Sequence, residues 1–552
     1  MNATPTFGRL GDHAVDRRRF LGLIATGAAV VGIPGLLTAC STTPPPAANN
    51  SAAAAGDVIP KYIPVTYIDP DYPSVNGSVP GYESIPPELV QSVKDAPGTG
   101  VVYTAMTPLW GTIPPTKGNK YYEAVNELLG SDIQFQITDG NVYGDKLATV
   151  LASAKDVPDW VCVPTWNLPP RFGSEIVRNV FQDLTPYLAG DKVTPYPNLA
   201  NISSDAWKFC VFNGKLYGLP FPGEVITDAI FYRRDVLDGL GITPDVKNGQ
   251  DLLDLALELT GGSVWGAEDL WNSAAIIHAV PPKWKLDGDK LVHRVETDEY
   301  RAALEWNAAL FASGAVHPDA VADQSGEAKA RFQSGKSLIA NDGVGGWHEA
   351  MRDNLASNPA YWQQPFDPFD ADGGTPILWK GNPANIFSFI KKTDDEAKVK
   401  ELLAIANVLA APYGTTEYDT INNGVEGVHY TRGDDGLPVP TDLAATELQP
   451  TYIFLVDPPI SETHVQYPGY VKAASEWKAN AAQYATDPLF YAQQIVEPQE
   501  YASIGQPFVD LEKDISRGRK DMSDLDAAVE TWRASGGEEL RAFYQDILDQ
   551  QS

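Results

Sequence analysis

The feature that most narrows the possible folds is a change of apolar period, repeated between residues 101 and 163. Residues 101–106 (VVYTAM) are rich in β-branched and aromatic side chains, and residues 121–129 place apolar groups at helical spacing before Gly130. Residues 133–137 (IQFQI) alternate with period two, residues 143–154 return to helical spacing, and residues 160–163 (WVCV) are continuously apolar. Such a βαβαβ run predicts a parallel sheet covered by helices on both faces, because parallel neighbours need a crossover and a helix is the usual one. The predicted class is therefore α/β. At 552 residues the chain exceeds what one core comfortably fills, so two lobes are expected.

Later segments add helices. Thr297 can cap a helix over 297–312, with Asp298 and Glu299 at its positive end and Gly314 beyond it, and Tyr300, Ala303, Leu304, Asn307 and Phe311 form its core stripe. Thr393 and Glu396 read as a capping box before Val399, Leu402, Leu403, Ala406 and Leu409. Ser523 with Asp526 reads as the start of a helix carrying Leu525, Val529 and Trp532.

The N-terminus reads as an address. Arg17-Arg18-Arg19 precedes an uncharged run over 21–37 and then Leu37-Thr38-Ala39-Cys40, which has the character of a twin-arginine export signal ending in a lipobox. Cys40 is thus the expected lipid attachment, residues 41–57 a flexible tether, and residues 58–97, rich in Pro and Gly, an arm packed on the surface. Lys and Arg total 41 against 72 Asp and Glu, a net charge of −31, which disfavours nucleic acid and anionic lipid as partners. Cys162 and Cys210 remain, and export permits them to pair without establishing that they meet. No Cys-x-x-Cys or His-Glu-x-x-His spacing points to zinc.

Gly335-Lys336-Ser337 matches the end of a nucleotide-binding P-loop, but Ala330 stands where the motif's first Gly belongs, and a helical pattern precedes the turn while a strand pattern follows. The order is inverted, so Gly335 is expected to end a helix, and the glycines at 343, 345 and 346 to deliver Trp347 at a strand's carboxyl end, where open α/β sheets receive ligands.

The stretches FNGKLYGLPFPGE (212–224), FYRRDVLDGLGITP (231–244), FQSGKSLIANDGVGGW (332–347), NNGVEGVHYTR (422–432) and GRKDMSDLDAAVETWRASGGEEL (518–540) together resemble the bacterial extracellular solute-binding lipoproteins of sugar-type ABC transporters, family 1. The resemblance runs from about 101 to 547. It implies a two-lobed periplasmic-binding-protein-like fold, each lobe a mostly parallel sheet flanked by helices, joined by a multi-strand hinge that closes on solute. The expected division is 1–39 export signal, 40–57 anchor and tether, 58–97 arm, 98–224 with 384–460 as lobe 1, and 225–383 with 461–552 as lobe 2. It also implies a carbohydrate ligand, ABC permease subunits as partners, a monomer on the extracytoplasmic face of the cell membrane, and no catalysis. Residues 285–293 and 367–374 lack full EF-hand spacing, so the resemblance does not assure the structural calcium of some relatives; calcium stays open as a structural ion, and no other cofactor is expected.

A sugar offers C–H faces and a rim of hydroxyls, so its site needs aromatic plates and fixed polar groups on loops after strands. Trp110, Trp166 and Asn167 in lobe 1, Glu224 at the hinge, and Trp271 and Trp347 in lobe 2 are the candidates, Trp347 as a plate whose loss weakens capture but spares the fold. The alternative for each tryptophan is packing, and for Glu224 the capping of an amide. Two other classes stay open: an oligopeptide or metabolite receptor of the same fold, and an envelope glycoside hydrolase or lyase, which would need paired carboxylates.

Overall fold

The computed structural model describes residues 56–169, 172–434 and 436–550; the export signal, Cys40 and nearly all of the tether lie outside the described residues. Two sheets organise the chain. In chain order the strands are β1 (Val102–Leu109), β2 (Asp132–Asp139), β3 (Trp160–Pro164), β4 (Gly218–Phe221), β5 (Asp228–Arg233), β6 (Trp265–Ala267), β7 (Ser337–Gly343), β8 (Gln363–Pro365) and β9 (Ile386–Ile390). The first sheet has the order β2-β1-β3-β9-β4 and the second β8-β5-β7-β6.

Both sheets are mixed, where mostly parallel ladders were expected. β1 pairs β2 and β3 in parallel, whereas β9 is antiparallel to β3 and β4; in the second sheet β7 is parallel to β6 and antiparallel to β5. The register explains it. Ile386, the first residue of β9, lies opposite Pro164 and Phe221, the last residues of β3 and β4. Asp228, the first of β5, lies opposite Gly343, the last of β7. In each of these two sheets the reversed strand is the one that arrives from the other lobe and must run away from the edge towards which its neighbours point.

Helices cover these sheets: α1 (Lys120–Leu129), α2 (Tyr143–Leu151), α3 (Gly346–Asn354) and α4 (Tyr470–Ala482) are the ones that bear on the site. α1 forms as its sequence requires, with Asn119 accepting from the amides of Tyr121 and Tyr122 and with Tyr121, Tyr122, Val125 and Leu129 buried on one side. Thr297 accepts from Tyr300 N at the start of the helix Asp298–Ala312, as expected. Two starts differ. Asp395, not Thr393, caps Glu396–Leu409, and Asp521 with Asp524 forms the capping box of Met522–Trp532 in place of Ser523 with Asp526. In both, a carboxylate at the true boundary competes successfully with a nearby hydroxyl. Gly335 ends the helix Ala328–Gln333 at φ 74°, and Ser337 opens β7, so the P-loop lookalike is a helix-to-strand turn.

One core joins Tyr103, Leu147, Trp160, Leu219, Phe389 and Leu402 under the first sheet. Under the second, Ile230, Leu252, Ile339 and Phe366 form one cluster, Phe231, Trp347, Tyr470 and Trp477 another, and Trp284 and Tyr300 pack on Phe508, Trp532 and Tyr544 in a third. Three segments pass between the sheets: 222–227, the chain between Pro365 and Ile386, and 455–469. The first two are bonded to each other, through Gly223 N to Pro383 O and Gly381 N to Val225 O at 2.7 Å. Such paired extended segments flex at few dihedrals, which suits a hinge.

The arm touches both sides of that hinge. Ile63 N donates to Ala200 O at 2.8 Å, and the amides of Ser92 and Val93 donate to the Glu417 carboxylate, which ties it to the first lobe. Tyr72 packs on the Phe231–Trp347–Tyr470 cluster of the second lobe, and Glu462 in the third crossing is bonded on both backbone sides, to Pro80 and Tyr82.

Candidate functional site

Each strand of β1, β2 and β3 delivers its next residues to the hinge-facing edge of the first sheet. Trp110 follows β1 directly, and Trp166 and Asn167 form the single turn Thr165–Asn167 that follows β3. The Trp110 and Trp166 ring centroids are 6.1 Å apart with the planes at 53°, and Phe454 meets Trp110 edge-on at 5.9 Å and 62°. Phe221, the last residue of β4, continues the group by lying 6.2 Å from Phe454 at 24°. Leu109, Cys162 and Ile386 floor it. The result is an angled aromatic corner, supported from below by strand ends and open above: Trp166 is 51% exposed and Trp110 partly so.

Asn167 adds a polar group beside the corner. Its Oδ1 is buried and, among the described residues, accepts no hydrogen bond. Phe221 and Phe454 were not anticipated. Phe221 sits between two prolines just before Glu224, and Phe454 just before Asp457-Pro458-Pro459; an aromatic beside a proline-marked crossing was the available signal.

Glu224 lies in the first crossing, as expected, but its carboxylate is engaged. It accepts from Lys478 Nζ at 2.7 Å, and the same ammonium donates to Glu462 Oε2 at 2.6 Å. Lys478 belongs to α4 and Glu462 to the third crossing, so one buried cation joins two crossing segments to the second lobe. Despite the cost of burial, Lys478 holds the Glu462 carboxyl down at about 2, and the two carboxylates raise the Lys478 ammonium. Glu462 also bonds His464 Nδ1 at 2.6 Å, and the His464 ring stacks on His348 at 4.0 Å. Burial, together with repulsion from His464, lowers His348 to about 3.

The two second-lobe candidates are corrected by their surroundings. Trp347 is the second residue of α3 and is 0% exposed, with Phe231 and Tyr470 edge-on at 5.9 and 5.2 Å. It cannot present a face to a solute in this arrangement, because the helix starts one residue earlier than a loop reading requires and turns the indole into the core. Trp271 opens the helix Trp271–Ile277 and meets Tyr300 at 5.5 Å and 90°. It packs against the C-terminal helices. The carboxylate at the end of β6, Glu268, is likewise committed, to Arg331 at 2.6 and 2.9 Å and to Ser337 Oγ at 2.7 Å. Ser337 therefore serves a buried ion pair.

Cys162 and Cys210 are both buried free thiols, pushed up by desolvation. The 285–293 stretch is a hairpin, Trp284–Asp287 with Lys290–His293, and in 367–374 Asp370 Oδ1 takes the amides of Asp372 and Gly374 at 3.0 Å. Among the described residues no group of three or more His, Cys, Asp or Glu is disposed to hold a metal.

Residues 115–407 match the family model described as bacterial extracellular solute-binding protein. The chain is 22% identical to the polygalacturonan/rhamnogalacturonan-binding protein YtcQ of Bacillus subtilis (strain 168), over 83% of this chain and 93% of that protein. It is also 22% identical to lipoprotein LipO of the same strain, over 82% and 93%. Among solved structures, a solute-binding protein of Bifidobacterium longum infantis, titled HMO-binding and ABC-transporter-associated, aligns at TM-score 0.57 with 14% identity, over 82% of this chain and 99% of that one. The N-glycan transport solute-binding protein NgtS of Streptococcus pneumoniae aligns at 0.55 with the same identity and coverage. These likenesses place the fold among two-lobed binding proteins. With more than half of its length covered by the family model, the protein belongs to the bacterial extracellular solute-binding proteins.

Proposed function

We propose that the protein captures a carbohydrate, an oligosaccharide in preference to a single ring, and delivers it to an ABC permease from the outer face of the cell membrane, held there by lipid on Cys40. The observation that carries this reading is the corner of Trp110, Trp166 and Phe454 at the hinge-facing edge of the first sheet. Sugar rings stack their C–H faces on such rings, and two plates at an angle can grip successive units of a bent chain. Asn167 stands beside the corner with a buried Oδ1 that has no donor among the described residues. The relatives support the ligand class: one is named for polygalacturonan and rhamnogalacturonan binding, and two solved structures are titled for HMO binding and N-glycan transport.

Micromolar capture corresponds to about −8 kcal/mol, part of which is diverted into closing the lobes. The test is a thermal-shift screen of malto-, manno-, xylo- and galacturono-oligosaccharides, followed by calorimetry and chromatography of the recovered sugar. A raised melting temperature with the sugar recovered intact supports the proposal. Cleaved sugar would replace it with a hydrolase or lyase, and a shift only with peptides would move the ligand class. Labelling with a fatty-acid precursor, abolished by Cys40→Ala, tests the anchor; persistent labelling in the variant overturns it.

A further inference from the structure

Gly140 continues β2 beside the end of β1: Leu109 is opposite Asp139, and Gly140 N donates to Leu109 O at 3.0 Å, so the next neighbour across is Trp110. The indole does not stand up from its strand. It folds over the neighbouring chain, and a Cβ at Gly140 would fall on its Cε2, Nε1 and Cδ2 atoms, far inside van der Waals contact. Its backbone is not in the left-handed region, so the glycine is there for space and not for φ. The turn beneath is rigid, because Asp139 Oδ1 accepts from Asn141 N at 2.8 Å and Nδ2 at 3.0 Å, and Val142 N donates to Asp139 O at 3.1 Å. One turn further, a Cβ at Gly144 would lie 2.6 Å from Asn167 Nδ2.

We propose that the segment 139–144 is a shelf that sets the solute plate, with Gly140 as the positioning residue that fixes the angle of Trp110 and Gly144 admitting Asn167. This rests on the carbohydrate reading above and adds to it that the plate's angle is determined from the adjoining strand end, not by Trp110's own strand. Because the turn is braced and the ring is partly exposed, a methyl group at 140 moves the ring and leaves the turn in place.

The protein is labelled with 5-fluorotryptophan, the Trp110 resonance among the thirteen tryptophans is assigned with Trp110→Phe, and affinity is measured for the oligosaccharide giving the largest thermal shift in the panel. Gly140→Ala should move the Trp110 resonance and weaken binding at least about tenfold, equivalent to ~1.4 kcal/mol, with little change in melting temperature. Trp110→Ala added to it should cost nothing further, and Trp110→Phe, a smaller ring, should recover part of the loss. Asp139→Ala, which keeps the glycine but frees the turn, is the second variant should Gly140→Ala fold poorly; it should move the same resonance and weaken binding by less, about threefold. An unmoved resonance, wild-type affinity in Gly140→Ala, or losses that multiply in the double variant would overturn the shelf. A panel in which wild type binds nothing counts against the carbohydrate reading instead, and the fluorine resonance then decides whether Gly140 sets the ring.

Discussion

Trp166 follows β3 by two residues and Trp347 follows β7 by four, and both come after glycine- or proline-marked strand ends, yet one is 51% exposed and the other fully enclosed. The difference lies in the element that comes next. Trp166 sits in a single 3-10 turn with no helix of its own to pull it down, so its ring remains at the edge beside Trp110. Trp347 is already inside α3, on the side where Ala350 and Met351 are buried, and Phe231 and Tyr470 close over it. The first lobe therefore offers aromatic surface at its hinge-facing edge, while the second commits Trp347 to its core and the Glu268 carboxylate to a buried ion pair. An aromatic after a strand is a plate only if the next element of the chain cannot bury it.

The contrast is broken most forcefully at Trp347. Trp347→Ala should cost ~3–5 kcal/mol of stability by opening a cavity in a filled core, read by chemical denaturation; a stable variant with lost binding would restore Trp347 to the site. Lys478→Met comes next. It leaves Glu224 and Glu462 facing each other without their cation, and should cost about 3 kcal/mol, with Glu462→Gln added to it recovering part of the loss. At the first-lobe edge the readout changes from stability to affinity: Trp110→Ala should weaken oligosaccharide binding about tenfold, ~1.4 kcal/mol, with unchanged denaturation midpoint. Trp166→Ala should do less, because the more exposed ring surrenders less contact on removal.

Acidity sharpens the second-lobe side. His348 is held at about 3, against about 6.5 when unfolded, so between those values the unfolded chain binds the extra proton and stability falls as pH drops, by at most about 1.4 kcal/mol per unit. Glu462, held at about 2, adds a further loss as pH falls below about 4.5. Its neighbours Lys478, Arg352 and His464 are part of the same field. His348→Phe should flatten the melting temperature between pH 6.5 and 4.5 and leave the steeper acid limb; an unchanged profile would remove the histidine stack as its source. The smallest effect is expected at Lys61→Ala, whose partner Asp191 is exposed, with less than ~0.5 kcal/mol lost on denaturation. A larger loss would mean that the arm's hold on the first lobe depends on this pair and not on its backbone bonds.

Much of the architecture was legible in the chain. Period changes between 101 and 163 are local facts, and β1, α1, β2, α2 and β3 appear where those periods put them, since a half-buried strand and an amphipathic helix each impose their own spacing. Helix starts were less so: TDDE at 393–396 offers adjacent oxygen acceptors, and only the backbone path selects Asp395. The group order around Gly335 sufficed to exclude a phosphate cradle, since helix, turn and strand occur in the wrong sequence for one.

Residue type and local order, then, determined the α/β class, the parallel core of the first sheet, and that Trp110, Trp166 and Asn167 would stand at strand ends. Tertiary structure alone decided which of those ends stay open. Exposure is a property of the groups that pack on a side chain from far along the sequence: Tyr470 seals Trp347, Lys478 engages Glu224, Phe454 backs Trp110, and a missing methyl group at Gly140 lets the indole lie down. No local period encodes those meetings, because they depend on strand register and on where three crossing segments bring the chain back.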